Sequence, residues 1–318
     1  MKSRIFITGG EGFIGSSLVD LLARRGYETA SFDASLSFID NAPYVQRCHA
    51  VRKKLFHQPS KRYRGDIRNN SALARAVKEF HPGVIVHLAG LPMARVSDKY
   101  ANEMIPINLY GTMNVLDVFE RSKAERLVYT SSSMAYGHFK QTPQSEYFIL
   151  DPVNAYGACK AAGEYFVKLS KKDWVIVRPT SVYGFTDCAN RVSQLLIDAA
   201  FKKRPAWVVK GETLDFSYVD DVADGFARAV VSPKASHETF NISRGEARPA
   251  TEFAKVLKKR FPDFVYEVRE PSMQQVYRGP QDIAKARKLL GFHPTYAIEG
   301  GIDKICELAE QYAFYSMI

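Results

Sequence analysis

The chain has 318 residues, 46% of them hydrophobic and 25% charged, with 20 Gly and 15 Pro. This composition excludes disorder, collagen and coiled coil, and the length exceeds the roughly 250–300 residues of a single core, so about two lobes are expected. The net charge of +10 admits nucleic acid, a membrane surface or small anionic ligands, but no aromatic-interleaved basic motif argues for nucleic acid and no apolar run reaches the roughly 18 residues of a membrane span.

In chain order, Met1 to Arg4 lead straight into Ile5-Phe6-Ile7-Thr8, which reads as a strand. No secretory leader is expected, and the protein is expected to be soluble and cytoplasmic. Ile14, Leu18, Leu21 and Leu22 then share one helix face. Glu28 to Phe32 reads as a second strand, ending at Asp33. The densest basic stretch follows: Arg47, Arg52, Lys53, Lys54, Lys61, Arg62 and Arg64. It reads as a solvated loop or helix face, or as a basic lid over an anionic substrate. Ser71 is placed to cap a helix carrying Leu73, Val77 and Phe80, and Val84 to Leu88 reads as the third strand. Helices are expected near 104–122 and 155–171, and strands at Arg126 to Ser131 and Trp174 to Arg178. Strand–helix alternation of this kind predicts a doubly wound parallel sheet.

Past Pro179 the rhythm loosens. Helices are expected near 189–203, 220–230 and from Ile298 to Tyr315, with strands near 206–209, 239–242 and 264–268. The expected architecture is a Rossmann α/β domain over residues 1–180, which the chain re-enters near 215–240, and a smaller C-terminal α/β substrate lobe over residues 181–318. Cys48, Cys159, Cys188 and Cys306 are scattered, and the histidines show no ligand spacing. No metal is expected, and free thiols fit a reducing compartment.

Thr8-Gly9-Gly10-Glu11-Gly12-Phe13-Ile14-Gly15 joins the first strand to the first helix and satisfies G-x-G-x-x-G. Glycines allow the tight turn, close approach of backbone to a pyrophosphate, and close helix packing. The helix N-terminus offers amides to the phosphate. Asp33, at the end of the second strand, can accept the ribose hydroxyls and repels a 2′-phosphate. Ala34 and Ser35 follow it with no arginine, which favours NAD over NADP.

Y-x-x-x-K occurs twice. Tyr136 and Lys140 enclose Gly137 and precede Pro143, so they read as a loop. Tyr156 and Lys160 lie in a helical stretch, one turn apart on one face. The ammonium is expected to lower the phenol pKa and make Tyr156 a general base. Ser131-Ser132-Ser133 follows a strand end, where a hydroxyl can meet the same substrate oxygen. No G-x-S-x-G elbow supports a serine nucleophile.

These features resemble the extended short-chain dehydrogenase/reductase family, the nucleotide-sugar epimerases and dehydratases. The resemblance covers nearly the whole chain: TGGEGFIG at 8–15, GDI at 65–67, HLAG at 87–90, NLYGT at 108–112, TSSSMAYG at 130–137, YGACK at 156–160, RPTSVYG at 178–184, DFSYVDDVAD at 215–224 and DIAKARKLLGFHP at 282–294. It implies that Gly9, Gly12, Phe13, Ile14, Gly15, Asp33, Asp66, Ile67, Leu88, Ala89, Asn108, Tyr156, Lys160 and Pro179 contact NAD, with Asp66 against the adenine. It implies catalysis by Ser132, Tyr156 and Lys160. Ser133, Ser181, Arg191 and Arg278 are implied at the nucleotide-diphosphate sugar. A homodimer built on the helices near 104–122 and 155–171 is also implied.

The departures narrow the reaction. Similar 4,6-dehydratases carry Asp-Glu where this chain has Ser133-Met134, so dehydration is disfavoured, and Asp33 disfavours NADPH-dependent reduction. That leaves a C4 epimerase or a C4 dehydrogenase releasing its keto product; a non-catalytic NAD-binding regulator is the remote alternative. Leu214 replaces the family's usual arginine, and Arg191 and Arg278 are the expected substitutes at the diphosphate. The basic stretch 47–64 is similar to an insert of the hexuronate epimerases.

Overall fold

The computed structural model describes residues 3–34, 42–92, 94, 97–271 and 276–315; Met1, Lys2 and Ser35 lie outside them. The first strands and helices are β1 (Ile5–Thr8), α1 (Phe13–Arg24), β2 (Thr29–Asp33), α2 (Ala42–Leu55), β3 (Lys61–Arg64), α3 (Asn70–Phe80) and β4 (Val84–His87). Next come α4 (Ala101–Ile105), α5 (Gly111–Arg121), β5 (Arg126–Thr130), α6 (Ala155–Lys168) and β6 (Asp173–Pro179). The remainder holds β7 (Val182–Tyr183), α7 (Val192–Phe201), β8 (Ala206–Val209), β9 (Thr213–Leu214), β10 (Ser217–Tyr218), α8 (Val219–Val231) and β11 (Glu238–Ile242). It closes with β12 (Arg248–Pro249), α9 (Ala250–Arg260), β13 (Tyr266–Arg269), α10 (Ala284–Leu290) and α11 (Ile298–Gln311).

Seven parallel strands form one sheet in the order β11-β6-β5-β4-β1-β2-β3. Their side chains alternate between two cores, as period-two pleating requires. Ile5, Ile7, Val86, Val128, Val175 and Val177 face the core shared with α1, α8 and the C-terminal elements. Phe6, Ile85, Leu127, Tyr129 and Ile176 face the core shared with α3 and α5. Both faces are covered, so the fold is the doubly wound Rossmann architecture that the strand–helix rhythm predicts.

One strand of the sheet and one helix on its face come from late in the sequence. β11 pairs along β6 from Glu238↔Val175 to Ile242↔Pro179, and α8 packs on α1. Other late elements form small two-stranded sheets, β10-β7, β12-β9 and β13-β8, with α7 and α9 packed on β8 and α11 on α9, while α10 packs on β11 and α8.

The structure corrects four local expectations. Val84–His87 is the fourth strand, because Lys61–Arg64 is itself a strand on the sheet edge beside β2. The basic stretch is therefore part of helix α2 and part of an edge strand rather than a loop. Within it Arg52 is buried, donating to Thr186 Oγ1 at 3.1 Å, and Arg47 donates to the Phe314 carbonyl at 2.6 Å. Asn69, not Ser71, caps α3, accepting from the Ala72 amide at 3.0 Å. The helix near 104–122 is interrupted by a π-helical turn, Pro106–Tyr110, because Pro106 supplies no backbone donor to α4.

Candidate active site

The strand order reverses beside β1, and the crevice beyond the strand ends there is where an α/β sheet takes ligands. The glycine loop fills this corner. Gly9 has φ +73°, and a Cβ on it would stand 2.7 Å from the Ala89 amide nitrogen. A Cβ on Gly15 would overlap the Gly9 carbonyl oxygen. Gly12 opens α1, which has no side-chain cap and no acidic residue in its first turn, around Phe13 and Ile14. First-turn amides have no intrahelical acceptor, so this cradle fits the pyrophosphate of a dinucleotide.

Asp33 is held beside the cradle by the Glu11 amide, which donates to its Oδ2 at 3.2 Å. Asp66 is paired through both oxygens with Arg68, Oδ1 at 3.1 Å and Oδ2 at 2.6 Å, and this hydrogen-bonded partner holds its pKa below the usual range. Ile67 packs in the core, and its carbonyl accepts from Asn114 at 2.9 Å. Leu88 and Ala89 leave the end of β4, where the Ala89 amide donates to Thr8 Oγ1 at 3.3 Å. Asn108 grips Leu91 with both arms: its Oδ1 accepts from the Leu91 amide at 2.7 Å, and its Nδ2 donates to the carbonyl at 3.0 Å. It shapes the loop beside the cradle.

Each of the three serines does something different. Ser131 Oγ donates to Glu164 Oε1, and Ser133 Oγ donates to Thr180 Oγ1 at 2.8 Å. Ser132 acts on the phenol of Tyr156, favouring its ionised form, and its Oγ accepts from the Met134 amide at 3.2 Å. Tyr156 sits in the first turn of α6, which Asn154 caps through the Gly157 amide at 2.8 Å. The Lys160 ammonium donates to the Thr130 carbonyl at 2.8 Å and stands 5.9 Å from the Tyr156 ring centre.

The expected lowering of the phenol pKa by Lys160 is not what the geometry gives. Burial pushes the Tyr156 pKa up; the Arg191 charge and the Ser132 hydrogen bond pull it down, less strongly. Burial pushes Lys160 down to about 8, so it remains a cation at neutral pH. The other Y-x-x-x-K does not assemble. Tyr136 donates to Asn241 Oδ1 at 2.8 Å, while Lys140 pairs with Asp151 at 3.0 Å.

Pro179 ends β6, and Ser181 beyond it has φ +41°. That conformation is uncommon for a residue other than glycine, asparagine or aspartate, and marks a site worth its strain. Arg191 pairs with Asp187 and lies 5.7 Å over the Phe13 ring, beside the glycine loop, and its charge acts on Tyr156. Arg278 lies beside the substituted position: its carbonyl accepts from Thr213 Oγ1 at 2.7 Å, next to buried Leu214. Arg248, opposite Leu214 in register, is committed to Glu252 and Glu299.

Sequence reasoning missed His87. Its ring bridges Thr8 Oγ1 at 2.7 Å and Thr112 Oγ1 at 3.0 Å, and burial, with the Lys160 charge, pushes its pKa down to about 3. A neutral imidazole thus ties β1 to the first turn of α5, just past the π-helical turn that carries Asn108. The signal was its place between strand and loop in HLAG.

A parallel sheet with a glycine cradle at its switch point and a serine, tyrosine and lysine at the strand ends defines an extended short-chain dehydrogenase/reductase. The pattern of the NAD dependent epimerase/dehydratase family matches residues 5–243, and the chain belongs to that family and uses NAD. A UDP-glucose 4-epimerase of Mycolicibacterium smegmatis is 28% identical over 320 residues, covering 96% of this chain and 97% of that one. The Thermus thermophilus UDP-glucose 4-epimerase, solved with NAD, is 25% identical with TM-score 0.83, over 95% of this chain and 99% of that one. The Bacillus cereus UDP-glucuronic acid 4-epimerase, solved with UDP-glucuronic acid and NAD, is 25% identical with TM-score 0.86, over 97% and 99%.

Proposed function

We propose that this chain is an epimerase acting at C4 of a UDP-hexose or a related nucleotide-diphosphate sugar, through a 4-keto sugar. The Lys160 ammonium, seated on the Thr130 carbonyl at the end of β5 and 5.9 Å from the Tyr156 ring centre, two residues from Ser132 and beside the glycine cradle, carries this reading. When bound, NAD supplies the hydride acceptor and donor. Tyr156, as phenolate, takes the proton from O4 and later returns it. Ser132 holds the same oxygen, and Lys160 adds a fixed positive charge one turn away. Gly9, Gly12, Phe13, Ile14 and Gly15 cradle the pyrophosphate; Asp33 takes the ribose hydroxyls. Asp66, Ile67, Leu88, Ala89, Asn108 and Pro179 line the rest of the cofactor site. Ser133, Ser181, Arg191 and Arg278 hold the sugar nucleotide.

Buried Met134 and a Ser133 hydroxyl turned to Thr180 occupy the places where loss of water would need an acid, which supports epimerisation over dehydration. A second reading rests on Arg191. A guanidinium near the catalytic phenol suits a sugar whose C6 is a carboxylate, so a UDP-hexuronate belongs in the substrate panel.

Tyr110, Tyr165, Phe166 and Leu169 are exposed by 62%, 57%, 40% and 77% along the α5–α6 side. Two copies pairing these helices would cover them, and a homodimer is part of the proposal.

Proton NMR of UDP-hexoses and UDP-hexuronates incubated with the protein tests the reaction. A new anomeric signal growing to a fixed ratio without added cofactor is expected, and Tyr156→Phe should bind NAD but lose most turnover. Accumulation of a 4-keto sugar only when NAD is added would instead mark a dehydrogenase. Undiminished turnover by Tyr156→Phe would overturn the role of the tyrosine.

A further inference from the structure

One cluster lies outside the proposed chemistry. Cys48 on α2 and Cys188 in the loop between β7 and α7 are distant in sequence, yet α2 brings them together: one turn before Cys48, Tyr44 Oη donates to the Asp187 carbonyl at 3.2 Å, and each thiol acts on the other. Cys48 is fully buried and Cys188 half-buried. One turn along α2, Arg52 donates to Cys188 Sγ at 3.5 Å and grips the same loop through Thr186 Oγ1 and the Thr186 carbonyl. Asp187 also faces the pair, but it accepts from Arg191 and from the Ala189 amide.

These contacts divide the labour between the sulfurs. The hydrogen bond from Cys48 pulls the Cys188 pKa below the usual thiol range; burial opposes this and the Arg52 charge adds to it. The bond to Cys188, together with burial, keeps Cys48 protonated. Burial pushes Cys159 and Cys306 up. A partly exposed thiol beside a cation, with a second thiol in contact, is the arrangement of an attacking and a resolving cysteine.

We propose that Cys48 and Cys188 are a redox modification site that closes to a reversible disulfide on reaction with a hydroperoxide. With hydrogen peroxide, the Cys188 thiolate attacks one oxygen; the S–O bond forms, the O–O bond breaks, and hydroxide leaves. The sulfur of Cys48 then attacks the Cys188 sulfur. The S–S bond forms, the S–O bond breaks, and the departing hydroxyl takes the Cys48 proton and leaves as water. Two thiols lose two electrons, and the peroxide, with the two thiol protons, ends as two waters. The bond brings the sulfurs to about 2 Å, so the loop carrying Asp187 and Arg191 is drawn towards α2.

Full-length protein treated with hydrogen peroxide near pH 7, then alkylated and digested, tests this by mass, independently of any turnover. Loss of two hydrogens, a linked Cys48–Cys188 peptide and reversal by dithiothreitol are expected. In the reduced protein, Cys188 should alkylate about tenfold faster than Cys159 or Cys306. A Cys48→Ser variant should accumulate a dimedone-trapped sulfenic acid at Cys188, and Cys188→Ser should give neither product. If either variant fails to fold, the linked peptide and the alkylation rates of the unaltered chain decide. Equal oxidation of all four thiols, or oxidation of the folded protein without the linked peptide, would overturn the proposal.

Discussion

Glu164 and Arg178 meet in a two-pronged ion pair, at 2.7 and 2.6 Å, with side chains 0% and 2% exposed. Glu164 lies one turn past Lys160 on α6 and Arg178 lies on β6, while Ser131 donates to the same carboxylate. One buried pair therefore fixes the helix bearing Tyr156 against the serine loop.

Removing one partner strands the other charge in the interior. Glu164→Ala should destabilise the fold by about 3–5 kcal/mol, read from urea unfolding. Arg178→Met combined with it should cost less than the two single changes summed. Additive losses would show that the pair does not act as a unit.

The Tyr156 phenol sits between burial, which raises its pKa, and two groups that lower it, Arg191 and Ser132. If Tyr156 is the base proposed above, ionisation switches it on, so kcat/KM should rise with pH along a limb set by this phenol. Removing the positive neighbour disfavours the phenolate. Arg191→Met should therefore move the limb to higher pH, and Ser132→Ala should move it the same way. A limb that stays in place in both variants would assign it to another group.

At Gly9 a side chain meets both a positive φ of +73° and the Ala89 backbone. Gly9→Ala should strip the cofactor, seen as a fall in NAD released from acid-denatured protein, while far-UV circular dichroism is kept. Asp33→Ala should narrow the preference for NAD over NADP in binding titrations, because the carboxylate that repels a 2′-phosphate is gone.

The exposed Leu169 and Tyr165 make the proposed dimer testable. Leu169→Glu with Tyr165→Glu should convert a dimer to a monomer by light scattering, with little change in melting temperature, since neither side chain is in the core. An unchanged mass would move the interface elsewhere.

Most sheet strands were legible because they are buried apolar runs bounded by breakers, and Thr8–Gly15 was legible because its glycines sit between strand and helix. β3 was not. Lys61-Arg62-Tyr63-Arg64 has a partner on one side only, and its charges suit a sheet edge facing water, so its composition reads as loop. Asn69 and Ser71 are both good caps two residues apart, and spacing alone does not choose between them. Spacing also places Lys160 one turn from Tyr156, but it shows neither the burial of the phenol nor the Thr130 carbonyl that takes the ammonium. Arg52 looked like one basic residue among many. Its burial follows from the docking of α2 on the 186–188 loop, a contact across more than a hundred residues.

The pairing of β11 with β6, and of α8 with α1, has a consequence for how the molecule is made. On the ribosome, β6 emerges as an unsatisfied edge and α1 with one flank bare. α1 cannot be covered until Val231 has cleared the exit tunnel, nor β6 until Ile242 has, and Ile242 lies about three quarters of the way along these 318 residues. The cofactor half, although it begins at the N-terminus, is thus completed late in synthesis. A nascent chain arrested before Glu238 would expose strand edge and apolar helix to chaperones rather than present a finished nucleotide-binding domain.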